Sequence, residues 1–329
     1  MIIWHGQGEV HEELDASVVT IGVFDGVHRG HQRLINTAVS IAGELKLPSV
    51  LVTFDPHPVE VFAPERTPSL LTSTTDRELM CAELGIDAAL IIDFTKELAG
   101  LSPEEYFKTM LVDVLGARHV VVGENFTFGS GADGTAKTMI ELGEKYGVGV
   151  TIVELLYDDG ERICSTHVRQ HLAAGDVARA NWALGRTYSL TGEVVRGAGR
   201  GGRELGYPTA NQYFPDSATV PAAGVYAGWF IVEGNVALSG DMEAGVAYPA
   251  AISVGTNPTF GDERRSVESF VLDRTADLYG QIASVYFVDK VRDMVKFHSV
   301  EELMDSIAND VRRTRQLLID APRPKPLGY

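Results

Sequence analysis

Residues 18–31 read Val18-Val-Thr-Ile-Gly22-Val-Phe-Asp25-Gly-Val-His28-Arg-Gly-His31. The β-branched run Val18-Val19-Thr20-Ile21 predicts a strand over Val18–Val23, and the spacing of Leu34, Ile35, Ala38 and Val39 predicts a helix over Gln32–Glu44. Between them lies a glycine-bearing loop with two histidines three residues apart. A helix start offers free N–H groups and the positive end of the helix dipole, so it favours anions. Glycines let a phosphate approach the backbone, and imidazoles add donors that can follow charge through a transition state. Strand, loop and helix start together read as a site for nucleotide phosphates.

Outward from this stretch the first half alternates strands and helices. Strands are expected at Ser49–Phe54, Ala88–Phe94, His119–Gly123 and Val148–Leu155. Helices are expected at Thr75–Leu84, Pro103–Leu115 and Ala136–Tyr146. That rhythm predicts a doubly wound, Rossmann-like parallel sheet with helices on both faces. Ligands in such sheets bind beyond the carboxyl ends of the strands, where the loops after Val23, Phe54 and Gly123 converge. A helical stretch over Ser165–Leu184 is expected to close this domain, with Gly185-Arg186 as a hinge.

From Thr187 the pattern changes. Short β-rich runs at Tyr188–Val195, Val225–Val232, Ala250–Val254, Ser266–Leu272 and Ile282–Val288 are separated by Gly/Pro/Asp loops, which predicts a small antiparallel barrel or sandwich. A terminal helix is expected over Val300–Leu318, with Val300, Leu303, Met304, Ile307 and Val311 on one face. The end, Ala321-Pro-Arg-Pro-Lys-Pro, reads as a loose tail. The expected domains are therefore 1–186 and 187–329.

The bulk numbers agree with a globular chain: 45% hydrophobic and 22% charged. The formal charge of −17 argues against a nucleic-acid binder, which needs a basic face. The two cysteines, Cys81 and Cys164, form no metal spacing or disulfide framework. With no signal peptide legible at the start and no apolar run near the ~18 residues of a membrane span, a cytoplasmic protein is expected. A homo-oligomer is compatible with the sequence.

Three more segments fall at the predicted rim. Thr53-Phe-Asp55-Pro56-His57-Pro58 follows a strand, with two prolines stiffening the loop. Gly123-Glu-Asn125-Phe-Thr-Phe128 follows another. Arg162-Ile-Cys-Ser165-Thr166-His-Val-Arg169 opens a helix with N-cap residue types. Singly, each reads as a stiff turn, a packed aromatic pair or an ordinary cap.

Together, these segments and G-V-F-D-G-V-H-R-G-H resemble the prokaryotic bifunctional riboflavin kinase/FMN adenylyltransferase (FAD synthetase) family, within the nucleotidyltransferase superfamily. The resemblance implies ATP contacts for the adenylyl transfer at Gly22, Phe24, Asp25, His28, His31, Asn125, Ser165, Thr166 and Arg169. It implies flavin contacts at Asp55, Pro56, His57, Pro58, Phe62 and Phe128. The family's third motif reads I-S-S-T-x-x-R; here Cys164 replaces the first serine. Adenylyl transfer needs little chemistry from the protein. The FMN phosphate is already an anion, so no general base is required. Positioning and charge neutralisation suffice, and His28, His31, Arg169 and magnesium suit that task.

Gly197-Ala-Gly199-Arg-Gly201-Gly202 matches G-x-G-x-x-G, but Pro208 and the absence of a helical period afterwards argue against a dinucleotide fold. Neither a P-loop nor a protein-kinase signature is present. The glycine run followed by Pro208-Thr209-Ala-Asn211 instead resembles the riboflavin kinase module. That resemblance implies ATP phosphates under Gly197, Gly199, Gly201 and Gly202, and Mg2+ and nucleotide held by Thr209 and Asn211, whose oxygens are hard ligands. The nucleophile here is a ribityl hydroxyl, hardly ionised at neutral pH, so a positioned carboxylate is useful. The family places its base at the E-S-F segment, here Glu268. On the residues alone, Glu268 reads as a solvent-facing strand glutamate.

Three functions follow as expectations. The first is a two-step enzyme converting riboflavin, ATP and Mg2+ to FMN and then FAD. The second is an FMN adenylyltransferase with a non-catalytic flavin-sensing C-terminal domain. The third is a flavin carrier without catalysis.

Overall fold

The computed structural model describes residues 1–10, 14–197, 207–257 and 262–328. Its contacts divide the chain into Met1–Cys164 and Ser165–Tyr329.

The first unit is a six-stranded parallel sheet. In chain order its elements are β1 (Ile2–His5), β2 (Ser17–Ile21), α1 (Arg29–Leu45), β3 (Ser49–Phe54), α2 (Pro58–Phe62), α3 (Thr74–Glu83), β4 (Ala88–Ile92), α4 (Lys96–Gly100), α5 (Pro103–Tyr106), β5 (Ala117–Gly123), α6 (Ala136–Tyr146), β6 (Gly149–Val153) and a hairpin of β7 (Tyr157–Asp158) and β8 (Glu161–Arg162). The strand order is β1-β4-β3-β2-β5-β6. All five residues of β2 and of β4 are buried, as expected of strands covered on both faces. Val19, Ile21, Val50, Val52, Leu90, Val120 and Val122 form the centre of the core.

From β2 the chain moves outward through β3 and β4, then returns across β2 to β5. Connections leave β2 and β5 in opposite directions, which makes the crevice at their carboxyl ends the switch point where such sheets bind ligands. The loops beginning at Gly22 and Gly123 start there.

This unit differs from expectation in several places. β1, unanticipated, extends the sheet beside β4 and buries Trp4 alone of its residues. The expected helix over Pro103–Leu115 is α-helical only to Tyr106, then π-helical over Phe107–Val114, keeping Phe107, Met110 and Leu111 buried.

The second unit begins with α7 (Ser165–Ala174) and α8 (Val177–Leu184). Gly175, at φ +77°, and the Asp176 N-cap split the single helix expected there. This pair is held to the strands that follow. Asn181 donates from Nδ2 to the carbonyl of Phe287 at 2.8 Å and accepts from Tyr188 N–H at 2.6 Å. The contact division therefore falls ahead of Gly185-Arg186.

The strands β9 (Tyr188–Glu193), β10 (Ala210–Tyr213), β11 (Gly224–Val232), β13 (Tyr248–Asn257), β14 (Asp262–Val271) and β16 (Ile282–Arg292) form an antiparallel sheet in the order β10-β14-β13-β11-β16-β9. A bridge between Val195 and Asn211 nearly closes it into a barrel. β12 (Ser239–Gly240) and β15 (Ala276–Asp277) form a small separate ladder.

The terminal helix α9 (Val300–Leu317) is tied to β16 by a two-pronged Arg292–Asp310 pair, with Nε–Oδ1 at 2.8 Å and Nη2–Oδ2 at 2.7 Å. Val300, expected on its apolar face, is 59% exposed. The tail is docked rather than loose. Leu318 and Ala321 join Trp229 and Tyr286 in one apolar cluster, the Arg323 guanidinium lies 5.5 Å from the Trp229 ring, and Tyr286 donates to the Lys325 carbonyl at 3.0 Å.

Candidate active sites

His28 is the N-cap of α1: its Nδ1 accepts from His31 N–H at 3.2 Å. The two imidazoles stack, with centroids 3.6 Å apart and planes 18° from parallel. Phe24, fully buried, sets its ring edge-on to His31 at 5.3 Å. Its side chain supports the histidine from within. His31 is half-buried, and its Nδ1 is buried without a hydrogen-bond partner among the described residues. Burial, helped by the neighbouring His28 and Arg77, holds the His31 pKa well below 6.5, so the ring is neutral at neutral pH.

The loop is shaped by Gly26, whose φ of +82° and close approach to Leu71 (a β-carbon would fall 2.7 Å from its Cδ1) exclude a side chain. Phe24 at φ 53° and Val27 at φ 37° sit in the left-handed region that side chains avoid. Asp25 holds this bend. It is 2% exposed, and its carboxylate accepts from Leu71 N–H at 2.9 Å and Thr72 N–H at 3.1 Å. Thr72 Oγ1 in turn accepts from Gly26 N–H at 3.1 Å. The geometry gives Asp25 a loop-latching role where the sequence suggested a ligand contact.

Arg77 on α3 was not anticipated. It is buried, donates to the Val23 carbonyl at 3.0 Å, and leaves Nε without a partner among the described residues. It puts a fixed positive charge near His31, which an anion would feel. No local pattern distinguishes this arginine from a surface one.

The other rim segments vary. Asp55, exposed, accepts from Thr74 Oγ1 at 3.2 Å, and His57 caps α2 by accepting from Val59 N–H at 3.1 Å. Pro56 and Pro58 are half-buried beside them, and Pro58 begins α2. Phe62 is 62% exposed and meets Phe94 edge-on, as does Phe54. Phe94 is thus a further aromatic at this rim. Asn125 is exposed. Phe128 is 7% exposed and packs in the core against Tyr106 and Phe126. Burial raises the half-buried Glu78 carboxyl, with Asp55 pushing the same way and His5 and Arg77 opposing. Ser165 and Thr166 are the first helical residues of α7, in the second unit, and Arg169 lies on the same helix.

In the second unit, Asn211 on β10 and Glu268 on β14 stand opposite one another in register, with Ser253 of β13 beyond. Side chains alternate along a strand. Asn211 and Glu268 therefore share a face, opposite to the one carrying Gln212 and Ser269. Asn211 Nδ2 donates to the Thr209 carbonyl at 3.0 Å and to its hydroxyl at 3.3 Å. Ser266 Oγ donates to Glu268 Oε1 at 3.2 Å, which orients the carboxylate. Gly197 abuts Asn211: a β-carbon there would fall 2.5 Å from Cγ and Oδ1. Gly199, Gly201 and Gly202 lie outside the described residues. Threonine, asparagine, glutamate and the first glycine are thus brought together from separate segments.

The FAD synthetase family model matches residues 10–167, and the riboflavin kinase model matches residues 184–318. The chain is 34% identical over 302 residues to the bifunctional riboflavin kinase/FMN adenylyltransferase of Escherichia coli, covering 92% of this chain and 93% of that protein. It is 35% identical to the Bacillus subtilis protein of the same name, covering 94% of each. A Streptococcus pneumoniae crystal structure described as a macrolide-efflux protein matches 96% of this chain and 99% of its own, at 32% identity and a TM-score of 0.84. Among the described residues no helix is long and apolar enough to cross a membrane. The kinase match over the barrel sets aside the flavin-sensing alternative, and both activities reside in one chain. With both modules present in order, and relatives of this identity aligned across nearly its whole length, the chain belongs to the bifunctional riboflavin kinase/FMN adenylyltransferase family.

Proposed function

We propose that riboflavin phosphorylation is carried by Thr209, Asn211 and Glu268, and FMN adenylylation by the His28–His31 loop with Asn125. The observation that carries this reading is the cross-strand placement of Asn211 opposite Glu268. It puts a hard oxygen ligand and a carboxylate on one face, beside Gly197. The donor set suits magnesium: Asn211 spends its N–H group on Thr209, leaving its amide oxygen as a ligand beside the threonine hydroxyl. Magnesium takes few protein oxygens and keeps waters and phosphate oxygens for the rest. When bound it neutralises charge on the phosphates of ATP. Glu268 accepts the proton of the ribityl hydroxyl as that oxygen attacks the γ-phosphorus of ATP, and ADP leaves.

In the adenylyl transfer the FMN phosphate attacks the α-phosphorus of ATP and pyrophosphate departs. His31, neutral, donates through one N–H group, and His28 holds its orientation by stacking. The buried Arg77 supplies positive charge. Asp55, Pro56, His57, Pro58 and Phe62 are the flavin-side candidates. The proposed boundaries of the working modules are 1–186 and 187–329, and a reducing cytoplasm suits Cys81 and Cys164, which form no disulfide among the described residues.

The test is a double dissociation, with flavins separated after supplying riboflavin or FMN with ATP and magnesium. His28→Ala/His31→Ala should abolish FAD formation and spare FMN formation. One lost transition-state donor costs roughly a hundred- to a thousandfold. Near-normal adenylyl transfer in the double variant would remove the histidine loop from the site.

A further inference from the structure

The barrel closes where β10 meets β9, the two ends of its strand order. There the described backbone supplies the Val195–Asn211 bridge, with Val195 N–H donating to the Asn211 carbonyl at 2.8 Å. The next residue, Gln212, points into the barrel and is 0% exposed. Its Nε2 donates to the carbonyls of Gly192 on β9 and Ala283 on β16, each at 2.8 Å. Gly192 and Ala283 are register partners, so one side-chain amide grips both strands at once.

This is an unusual position for an amide. The same interior carries Ala210, Ile252, Val254 and Val267, all buried, with Ser269 as the one small polar neighbour among them, and an apolar side chain would fit there. A buried amide costs free energy unless its hydrogen bonds are made. Gln212 leaves Oε1 without a partner among the described residues, a cost an apolar residue would avoid. What it gains is the two donations across the seam.

The seam separates the parts of the kinase site. On one bank, beyond β9, stands Gly197. On the other, on and just before β10, stand Asn211 and Thr209, with Glu268 on the next strand. The near-contact of Gly197 with Asn211 means that their spacing depends on how tightly the seam is held.

We propose that Gln212 is a positioning residue for phosphoryl transfer: it clasps β10 to β9 and β16, and so fixes Thr209 and Asn211 against Gly197. The proposal rests on the kinase assignment above. Gln212 touches no substrate; it acts through Asn211.

The experiment uses the full-length protein and two variants. Gln212→Met keeps the length and bulk and removes both donors. Gln212→Glu keeps one donor while the carboxyl is protonated and none once it ionises. Riboflavin phosphorylation is measured against magnesium concentration, with FAD formation from supplied FMN as an internal control and thermal unfolding as a check on folding. In Gln212→Met the magnesium needed for half-saturation should rise several-fold to about tenfold, with the riboflavin KM and FAD formation unchanged. The kinase rate of Gln212→Glu relative to the parent should be highest at low pH and fall as pH rises. A folded Gln212→Met with parental magnesium dependence, or a pH-independent ratio for Gln212→Glu, overturns the clasp. If Gln212→Met does not fold, the pH ratio decides alone. Asn211→Ala separates the two layers. If it raises the magnesium requirement while Gln212→Met does not, only the clasp is lost. If Asn211→Ala leaves that requirement unchanged, the site assignment itself fails.

Discussion

Replacing Asp25 by alanine should destabilise the first unit and cripple FAD formation without touching riboflavin phosphorylation. The carboxylate accepts from Leu71 N–H at 2.9 Å, Thr72 N–H at 3.1 Å and Thr72 Oγ1 at 3.3 Å. Leu71 is 1% exposed and Thr72 6%, so truncation strands two buried N–H groups away from water. Each such orphan costs about 1–3 kcal/mol, giving roughly 3–4 kcal/mol once partial relaxation is allowed. Asp25→Asn keeps one carbonyl acceptor and should cost about 1 kcal/mol. Denaturant unfolding measures the stability, and FAD formation from supplied FMN measures the consequence for the histidine loop, whose Gly26 hangs on the same Thr72 hydroxyl. A direct ATP contact makes a different forecast: raised ATP KM at unchanged stability. Parental unfolding of Asp25→Ala with a weakened ATP interaction would refute the latch.

Two further outcomes follow from the same geometry. The lowered His31 pKa means that the unfolded chain protonates this histidine before the folded one does. Stability should therefore fall as pH drops below about 6.5, by at most one proton's share, about 1.4 kcal/mol per pH unit. Denaturant midpoints of His31→Gln should decline less steeply than the parent's between neutral pH and the acid transition; parallel slopes would deny the buried neutral ring. Gly197→Ala should displace Asn211, because the new β-carbon would lie 2.5 Å from its Cγ and Oδ1. It should cut riboflavin phosphorylation strongly with FAD formation retained, and parental kinase kinetics would show that the contact does not matter.

The parallel sheet was legible because its strands are short β-branched runs bounded by amphipathic helices. Ser49–Phe54 and Ala136–Tyr146 stand where the pattern puts them. β1 was not legible: four residues at an edge, one of them buried, leave almost no periodic signal. The hairpin of β7 and β8 had a signal that went unused. Asp159-Gly160, both at positive φ, is the turn pair that two-residue hairpins demand. β10 was missed because Ala210–Tyr213 alternates a small residue and two amides, and its burial depends on partners far away in sequence.

The site divides in the same way. Histidine pairs, Pro-Thr-Ala-Asn and the glycine run carry their chemistry in local order, so sequence exposes them. Arg77 and Gln212 owe their roles to strands and helices distant in the chain, and no neighbouring residue announces them. Asp25 and Phe24 lie beneath the histidine loop, inside the protein, which only burial reveals. Phe128 shows the converse: an aromatic expected at the rim packs into the core.

That Glu268, opposite Asn211, is the base for the ribityl hydroxyl is tested by single-turnover riboflavin phosphorylation in Glu268→Gln at saturating ATP, magnesium and riboflavin. The amide is nearly isosteric and can still accept from Ser266 Oγ, so the fold and ATP binding should survive. Loss of a general base predicts a rate lower by roughly a hundred- to ten-thousandfold, with FAD formation from supplied FMN intact. A single-turnover rate within a fewfold of the parent would contradict the claim and return Glu268 to an ordinary strand position.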